Sequence, residues 1–304
     1  QIVRVYLAPD LGHHEVRRLE PAHVQTLLNN MVSAGKAPRT VRYALAVLRR
    51  ALGQAVLWGR VPRNVALLAT PPAAVWHEQT ALTPEQGRTL LAAARDERLE
   101  ALYRVALTLG LRLGEVLGLR RVDVDLDAGT LRVAQTVQRV GGKLIFGEPK
   151  TRRSRRTLPL PDALRRSLDA HFVRQCTDCV RAGKSWSDAG LVFTTRLGTP
   201  LEPRNVVRSF KALLARAGLP DIRFHDLRHS CASLLVAAGH HPRVVMETLG
   251  HSQIGITMDT YAHVYAGALR AVAETMDTLL PGADPVGTDG IAQSSTTHDA
   301  LEHR

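Results

Sequence analysis

Apolar side chains recur every three or four positions through the first sixty residues, which is the spacing of one face of an α-helix. Val24, Leu27, Leu28 and Met31 form the first such face. After a break marked by a glycine and a proline, the same spacing resumes over Arg39–Leu57. The pattern therefore predicts two amphipathic helices at the start of the chain.

The residues after these two helices contain both helical and strand patterns. Thr83-Pro84 is a typical helix start, with a capping side chain and a proline at the first helical position. Three helices are expected next, over residues 84–96, 98–109 and 112–119. Alternating or short apolar runs then predict three strands, Thr130–Val137, Leu144–Phe146 and Thr157–Leu160, with Gly141-Gly142 as a hairpin turn. Helical spacing returns and continues to about residue 280, so the fold class is mainly α with one small antiparallel sheet.

These patterns divide the chain into four segments. A helical domain over 1–70 is followed by a linker over 71–80, which begins with two prolines. A larger mixed domain is expected over 81–282. The last segment, 283–304, is rich in Gly, Ser, Thr and Asp and is predicted to be a disordered acidic tail.

The charge balance favours a polyanionic partner. The 304 residues include 40 Lys and Arg against 28 Asp and Glu, for a net charge of +12, and only five of the 40 are lysines. Arginine donates paired hydrogen bonds to phosphate, so nucleic acid is the first candidate, although codon bias in a GC-rich genome also enriches arginine.

Composition also excludes several classes of protein. Three cysteines are too few for a disulfide scaffold and suit a reducing compartment, so we expect a cytoplasmic protein. The Cys176 and Cys179 pair lacks a second pair at zinc-finger spacing, so no metal site is predicted. No apolar run is long enough to span a membrane, and no membrane partner is expected.

Polar residues with chemical potential lie at helix ends. His225, Arg228 and His229 would share one face at the start of a helix, which makes either an anion site or a polar cluster that ties the helix to its neighbours. Arg112 lies between leucines, which would draw it toward the interior, and Glu115 three residues later can pair with it.

Three further candidates are ambiguous when taken singly. Lys150 lies in a run of basic residues between the second and third strands, which suits phosphate binding but also a solvated charged surface. His251 follows the predicted C-cap Gly250, and Tyr261 comes ten residues later. Tyr265 lies one helical turn beyond Tyr261, so either tyrosine could simply pack in a helix face.

Taken together and in order, these residues resemble the catalytic set of the tyrosine recombinases, the phage integrase family. The strings "LGLRLGEVLGL", "PKTRRSRRTLPL", "HDLRHS", "LGHS" and "TMDTYAHV" are similar to that family's motifs over about residues 80–265. The helices within 1–70 resemble, more weakly, the family's SAM-like core-binding domain. The arm-binding domain found at the N-terminus of many phage integrases is expected to be absent or truncated.

The resemblance implies a role for each residue. The implied catalytic residues are Arg112, Lys150, His225, Arg228, His251 and Tyr261, supported by Glu115 and His229. Tyr261 would attack phosphorus and form a 3′-phosphotyrosyl intermediate, the two arginines would bind the phosphate oxygens, and Lys150 would protonate the leaving 5′ oxygen. No metal or other cofactor is implied.

The resemblance also implies the partners. Double-stranded DNA carrying a core recombination site would be bound by a homotetramer on two duplexes, with an accessory DNA-bending or directionality factor as a further partner. The expected DNA contacts are Arg39, Arg42, Arg49, Arg50, Lys143, Arg152, Arg153, Arg155 and Arg156. A helix over Val264–Leu280 would dock either on a neighbouring protomer or within its own chain. The implied function is site-specific recombination of a mobile element; a type IB topoisomerase-like enzyme and a catalytically silent DNA-binding protein are the alternatives.

Overall fold

The computed structural model describes residues 1–73, 80–149 and 154–250. Contacts divide the chain into two compact units, with the division between residues 78 and 79. The elements are mostly helical with small antiparallel sheets, which confirms the predicted fold class. No helix in these described ranges is long and apolar enough to cross a membrane.

The first unit is built around the two predicted helices. Its helices are a π-helical turn Val3–Leu7, α1 Ala8–Leu11, α2 Pro21–Ser33 and α3 Pro38–Leu57, with short 3-10 helices at Val16–Arg18 and Val65–Leu68. Both α2 and α3 begin with proline, whose fixed φ suits the first helical turn. The predicted apolar faces form the core, in which Val24 and Val41 are fully buried.

The second unit contains seven α-helices in its described part. They are α4 Pro84–Ala93, α5 Glu100–Leu109, α6 Leu113–Leu117, α7 Asp162–Ala182, α8 Pro203–Arg216, α9 Asp226–Ala237 and α10 Pro242–Leu249, with 3-10 helices at Arg121–Asp123 and Gly183–Ser185. The predicted cap is present, since the Thr83 side chain accepts a hydrogen bond from the Gln86 N–H. The prediction of continuous helix after the third strand is wrong for residues 186–202, which form no helix.

The strands form two sheets and not the single predicted one. They are β1 Val124–Asp125, β2 Thr130–Val133, β3 Thr136–Val140, β4 Lys143–Gly147 and β5 Arg156–Pro159. The first sheet has the antiparallel order β1-β2-β5, in which Val133 lies opposite Arg156. The second is the β3-β4 hairpin, closed by Gly141 and Gly142 as predicted.

The expectation of one strand over Thr130–Val137 was wrong because α6 packs directly on its second half. A Cβ atom on Gly114 would lie 2.6 Å from the Val137 carbonyl oxygen, and one on Gly118 would lie 2.9 Å from the Thr136 Cα. Only glycine permits that approach, and the chain leaves the first sheet after Val133 to make it.

The core of the second unit surrounds α5, which packs against α7 and α9. Tyr103 of α5 lies 5.8 Å, ring centre to ring centre, from Phe210 of α8. Ser230 of α9 accepts a hydrogen bond from the Leu82 N–H at 2.9 Å, which ties this helix to the segment ahead of α4. Helix α9 is therefore held on two sides, and its first turn carries the candidate histidines and arginine.

Candidate active site

The predicted pair of Arg112 and Glu115 is present at the start of α6. Helix α5 ends at Gly110, which has a φ of 61°, and the chain re-enters a helix after Arg112. Arg112 Nη1 donates to Glu115 Oε1 at 2.7 Å, and the Arg112 backbone N–H donates to Oε2 at 3.1 Å. The leucines draw Arg112 inward less than expected, because its side chain remains 39% exposed. Its guanidinium is therefore both fixed and accessible.

Arg228 is the deeply buried cation of the site, at 2% exposure. Its Nη1 donates to the Gly110 carbonyl oxygen at 2.8 Å, whereas its buried Nη2 has no hydrogen-bond partner in the described structure. Burial, and then the charge of Arg112, lowers the pKa of Arg228 to about 9. A buried donor without an acceptor is costly, so this position is suited to an incoming oxyanion.

Gly110 makes this arrangement possible. A Cβ atom there would lie 2.4 Å from Leu249 Cδ2 and 3.2 Å from Cys231 Sγ. Its positive φ would also strain any other residue. The glycine therefore allows α9 and α10 to pack closely enough for Arg228 to reach the end of α5.

Arg156 lies inside the site, which corrects the prediction that it contacts DNA from a solvated hairpin. Its side chain is only 8% exposed, and its Nη2 lies 3.3 Å from Glu115 Oε2. The reason is strand alternation: Arg156 shares the inner face of β5 with Leu158. That alternation was visible in the sequence, but the run of neighbouring arginines obscured it.

His225 and His229 share a face of α9, as predicted. Their ring centres are 5.1 Å apart in an edge-to-face arrangement. Burial, followed by the charges of Arg228 and Arg112, lowers the pKa of His225. Burial, followed by His225, lowers the pKa of His229 to about 4. His229 is therefore neutral near pH 7, and the lowered pKa of His225 shifts it in the same direction.

Asp226, in the first turn of α9, pairs with Arg223 just ahead of the helix. Its buried carboxylate accepts hydrogen bonds from the Arg223 backbone N–H at 2.7 Å and from Arg223 Nη2 at 2.7 Å. Burial acts to raise the pKa of Asp226, but the hydrogen bonds from Arg223 outweigh it and the pKa is lowered. This pair was not among the predicted residues, although the spacing of three residues across a helix start is a signal for it.

The site as a whole carries an excess of positive charge. The guanidiniums of Arg112 and Arg156 pair with the Glu115 carboxylate, and the buried charge of Arg228 also interacts with it. Burial acts to raise the pKa of Glu115, but Arg156 and then Arg112 outweigh it, so the carboxylate stays ionised. Such a cluster can stabilise an anion whose negative charge grows during a reaction.

The predicted DNA contacts fall in different environments. Arg39, Arg50 and Lys143 are exposed, as are Arg42 and Arg155. Arg42 donates to the Pro72 carbonyl oxygen at 3.1 Å, and Arg155 pairs with Glu148.

Arg49, another predicted DNA contact, is held by backbone carbonyl groups of its own unit. Its Nε donates to the Ala66 carbonyl oxygen and its Nη2 to the Ala69 carbonyl oxygen, each at 3.0 Å. The half-buried guanidinium thus satisfies carbonyl groups at the end of the first unit, because these lie opposite its helix turn. Its hydrogen-bonding capacity serves the fold of that unit.

Five predicted site residues lie outside the described residues. They are Lys150, Arg152, Arg153, His251 and Tyr261, and the predicted tail 283–304 lies outside as well. The described residues end at Pro149, resume at Ser154 and end again at Gly250. Gly250 has a φ of 67° and ends α10, as the sequence predicted.

Comparison with known proteins identifies the family of this chain. The profile of the phage integrase family matches residues 80–267. The XerC-like tyrosine recombinase of Caldanaerobacter subterraneus is 32% identical over 86% of this chain and 71% of its own length. The integrase of Mycobacterium phage L5 is 33% identical over 91% of this chain and 71% of its own length.

Solved structures show the same fold. The Tn1549 transposon integrase, in complex with circular intermediate DNA, has a TM-score of 0.75 at 21% identity and covers 90% of this chain and 91% of that one. A lambda integrase tetramer bound to a Holliday junction has a TM-score of 0.60 at 19% identity, covering 84% and 68%. The relatives favour recombination over a topoisomerase-like or silent DNA-binding role. The chain thus belongs to the phage integrase family of tyrosine recombinases, and it catalyses site-specific recombination by breaking and rejoining DNA.

Proposed function

We propose that the Arg112, Arg156, Arg228 and Glu115 cluster, together with the two histidines, is the phosphate-binding half of the recombination site. The observation that carries this proposal is the buried Nη2 of Arg228, which lacks an acceptor among the described residues. A non-bridging oxygen of the scissile phosphate supplies that acceptor. Arg112, accessible and held by Glu115, contacts the other oxygen.

Residues outside the described ranges complete the chemistry in this proposal. The Tyr261 hydroxyl oxygen attacks phosphorus, and the bond from phosphorus to the 5′ oxygen breaks. Lys150 gives a proton to that leaving oxygen, while neutral His225 assists removal of the tyrosine proton and His251 hydrogen-bonds the phosphate. A 5′-hydroxyl from the partner strand then reverses the step. The bond energy is kept in the phosphotyrosine throughout.

The DNA and the assembly are also part of the proposal. Exposed Arg39, Arg42 and Arg50 of the first unit would contact the DNA backbone, as would Lys143 and Arg155 of the second. The lambda integrase tetramer supports an active homotetramer on two duplexes, since strand exchange joins four cut ends. An accessory DNA-bending factor completes the proposed set of partners.

A suicide substrate tests this function. The DNA carries the attachment site cloned from the junction of the element that encodes the protein, with a nick beside the cleavage position. We expect a covalent protein–DNA adduct that forms without added metal and disappears in Tyr261→Phe. An adduct that persists in Tyr261→Phe and vanishes in Tyr265→Phe would show that the wrong tyrosine was chosen.

A second readout separates recombination from nicking and closing. The same protein is incubated with a supercoiled plasmid that carries two attachment sites, and both topology and sequence of the products are examined. Recombinant junctions are expected. Relaxation without recombinants would instead support the topoisomerase-like activity.

A further inference from the structure

Arg156 joins three segments of the second unit through one buried guanidinium. Its Nη2 faces Glu115 Oε2 at 3.3 Å, its Nε donates to the Thr248 carbonyl oxygen at 2.7 Å, and its Nη1 donates to the Ser154 carbonyl oxygen at 3.1 Å. These partners lie at the start of α6, at the last turn of α10 and ahead of β5. Arg156 itself is held in register opposite Val133.

Only arginine can make these contacts at once. The planar guanidinium presents five N–H donors in a fixed fork, whereas a lysine ammonium is a compact group on a flexible stem. The Glu115 carboxylate, for its part, gives one oxygen to Arg112 Nη1 and the other to Arg156. The two arginines therefore hold the carboxylate from both sides.

The stability of the fold alone does not explain why a charged residue is buried at Arg156. Burial lowers the pKa of its guanidinium, and its charge is one of those that lower the pKa of Arg228. A buried charge beside another of the same sign is unfavourable, and apolar residues of similar volume often replace buried ion pairs without loss of stability. The arrangement makes sense where an anion later neutralises the excess charge.

We propose that Arg156 is a positioning residue for recombination: it holds the Glu115 carboxylate oriented toward Arg112, and it fixes the end of α10 against β5. The inference rests on the proposed function, because it assigns Arg112 to the phosphate. Arg156 acts through Glu115 and does not need to touch the DNA. The direction of its effect on Glu115 follows from its positive charge.

Arg156→Met tests the inference, with Arg132→Met as the matched control. Arg132 is on the neighbouring strand β2 and is likewise one of two arginines on a buried carboxylate, that of Asp123. Single-turnover adduct formation is measured from about pH 4 to 9 on the suicide substrate, since the lowered pKa of Glu115 places the wild-type acid limb below pH 5. We expect Arg156→Met to slow cleavage on the order of 100-fold, the cost of misplacing a reacting group by about 1 Å. Arg132→Met should cleave at the wild-type rate.

The pH profile separates positioning from simple packing. Without Arg156 the Glu115 carboxylate loses its largest favourable charge partner, so its pKa rises. Glu115 then becomes protonated at a higher pH, and the acid limb of the cleavage profile moves to higher pH. The acid limb should stay in place in Arg132→Met and in Arg156→Lys, since the latter keeps the charge.

A double-mutant cycle with Glu115→Gln measures the coupling. In the Glu115→Gln background, Arg156→Met should change the cleavage rate by no more than about 3-fold, because the two residues act as one unit. Circular dichroism melting confirms folding of each variant, and Arg156→Lys takes the place of Arg156→Met in the cycle if the latter is unfolded.

The outcomes distinguish this inference from the proposed function. Absence of an adduct with the wild-type protein removes the proposed function itself. A wild-type adduct together with near-normal cleavage by Arg156→Met overturns only the positioning role. Independent, additive effects of the two substitutions with an unmoved pH profile also overturn it, since Arg156 would then merely pack.

Discussion

Two buried carboxylates of the second unit each hold two arginines, but only one of them is at the candidate active site. Glu115 binds Arg112 and Arg156. Asp123 binds Arg120 and Arg132, with Arg120 Nε at 2.5 Å and Arg132 Nε at 2.9 Å. We call these the Glu115 cluster and the Asp123 cluster.

The clusters differ in where their positive charges lie. The arginines of the Asp123 cluster are 35% and 60% exposed, so water solvates them and the carboxylate is simply satisfied. The Glu115 cluster includes a third cation, Arg228, which is buried and keeps an unpartnered Nη2 in the described structure. A buried ion pair serves the fold when its charges balance. It can serve chemistry when an excess of positive charge is left for a ligand.

The largest expected effect comes from removing the excess charge. Arg228→Met should lower the rate of adduct formation about 10³-fold, because an oxyanion loses a preorganised donor. The free energy of unfolding in urea should fall by no more than about 1 kcal/mol, since the lost hydrogen bond to Gly110 is offset by removal of an uncompensated buried charge. A folded variant that cleaves normally would contradict the assignment. Arg132→Met provides the comparison from the Asp123 cluster.

Neutralising the two carboxylates should affect stability unequally. Glu115→Gln leaves buried arginines without their counter-charge, and we expect the free energy of unfolding to fall by about 3–5 kcal/mol. Asp123→Asn should cost about 1 kcal/mol, because its partner arginines remain in contact with water. Urea denaturation measures both. Equal losses would show that the two clusters do not differ in the burial of their charges.

A pair of glycines sharpens the comparison further. Gly110→Ala combines a strained positive φ with a collision against Leu249, so it should destabilise the protein by about 2–4 kcal/mol and slow cleavage by displacing the Arg228 acceptor. Gly129, in the turn before β2, has a similar φ of 62° but open space around it. Gly129→Ala should cost about 1 kcal/mol and leave cleavage unchanged. Thermal melts and adduct assays measure these effects.

The final comparison concerns the pH dependence of stability. Because the pKa of His229 is about 4 when folded and 6.5 in the unfolded chain, its contribution to stability is complete above pH 6.5 and is lost as the pH falls toward 4. His229→Gln should flatten the unfolding free energy across that window. Asp123→Asn should act at lower pH, since the depressed pKa of Asp123 makes its contribution disappear below the usual carboxyl range. An unchanged slope in His229→Gln would contradict the assignment of His229 as a half-buried, neutral histidine.

Local patterns predicted the elements on which the site rests. The apolar spacing of α3, the proline start and glycine end of α10, and the Gly141-Gly142 turn are all short-range features that the folded chain retains. The pairing of Arg112 with Glu115 was predictable for the same reason, since three residues separate them across a helix start.

Contacts between distant segments were not predictable in this way. Arg156 and Arg49 were predicted to bind phosphate at the surface. Each guanidinium instead donates to carbonyl groups or to a carboxylate of another segment. The split of the run after Val133 depends on Gly114 in α6 and on Gly118 at its end, and the alternation within the run gives no sign of them. Alternation along a strand can therefore bury one member of a charged run while its neighbours face solvent.

Motifs, caps and periodicity are properties of neighbouring residues, so the amino-acid sequence was enough to predict the helical elements, the basic character and the set of residues that marks a tyrosine recombinase. The tertiary structure adds that Arg112 and Arg156 meet on the Glu115 carboxylate and that Arg228 keeps a donor without an acceptor among the described residues. The physical reason is that burial sets the strength of a charge interaction, and burial arises from the packing of α6, β5, α9 and α10, which are remote in sequence.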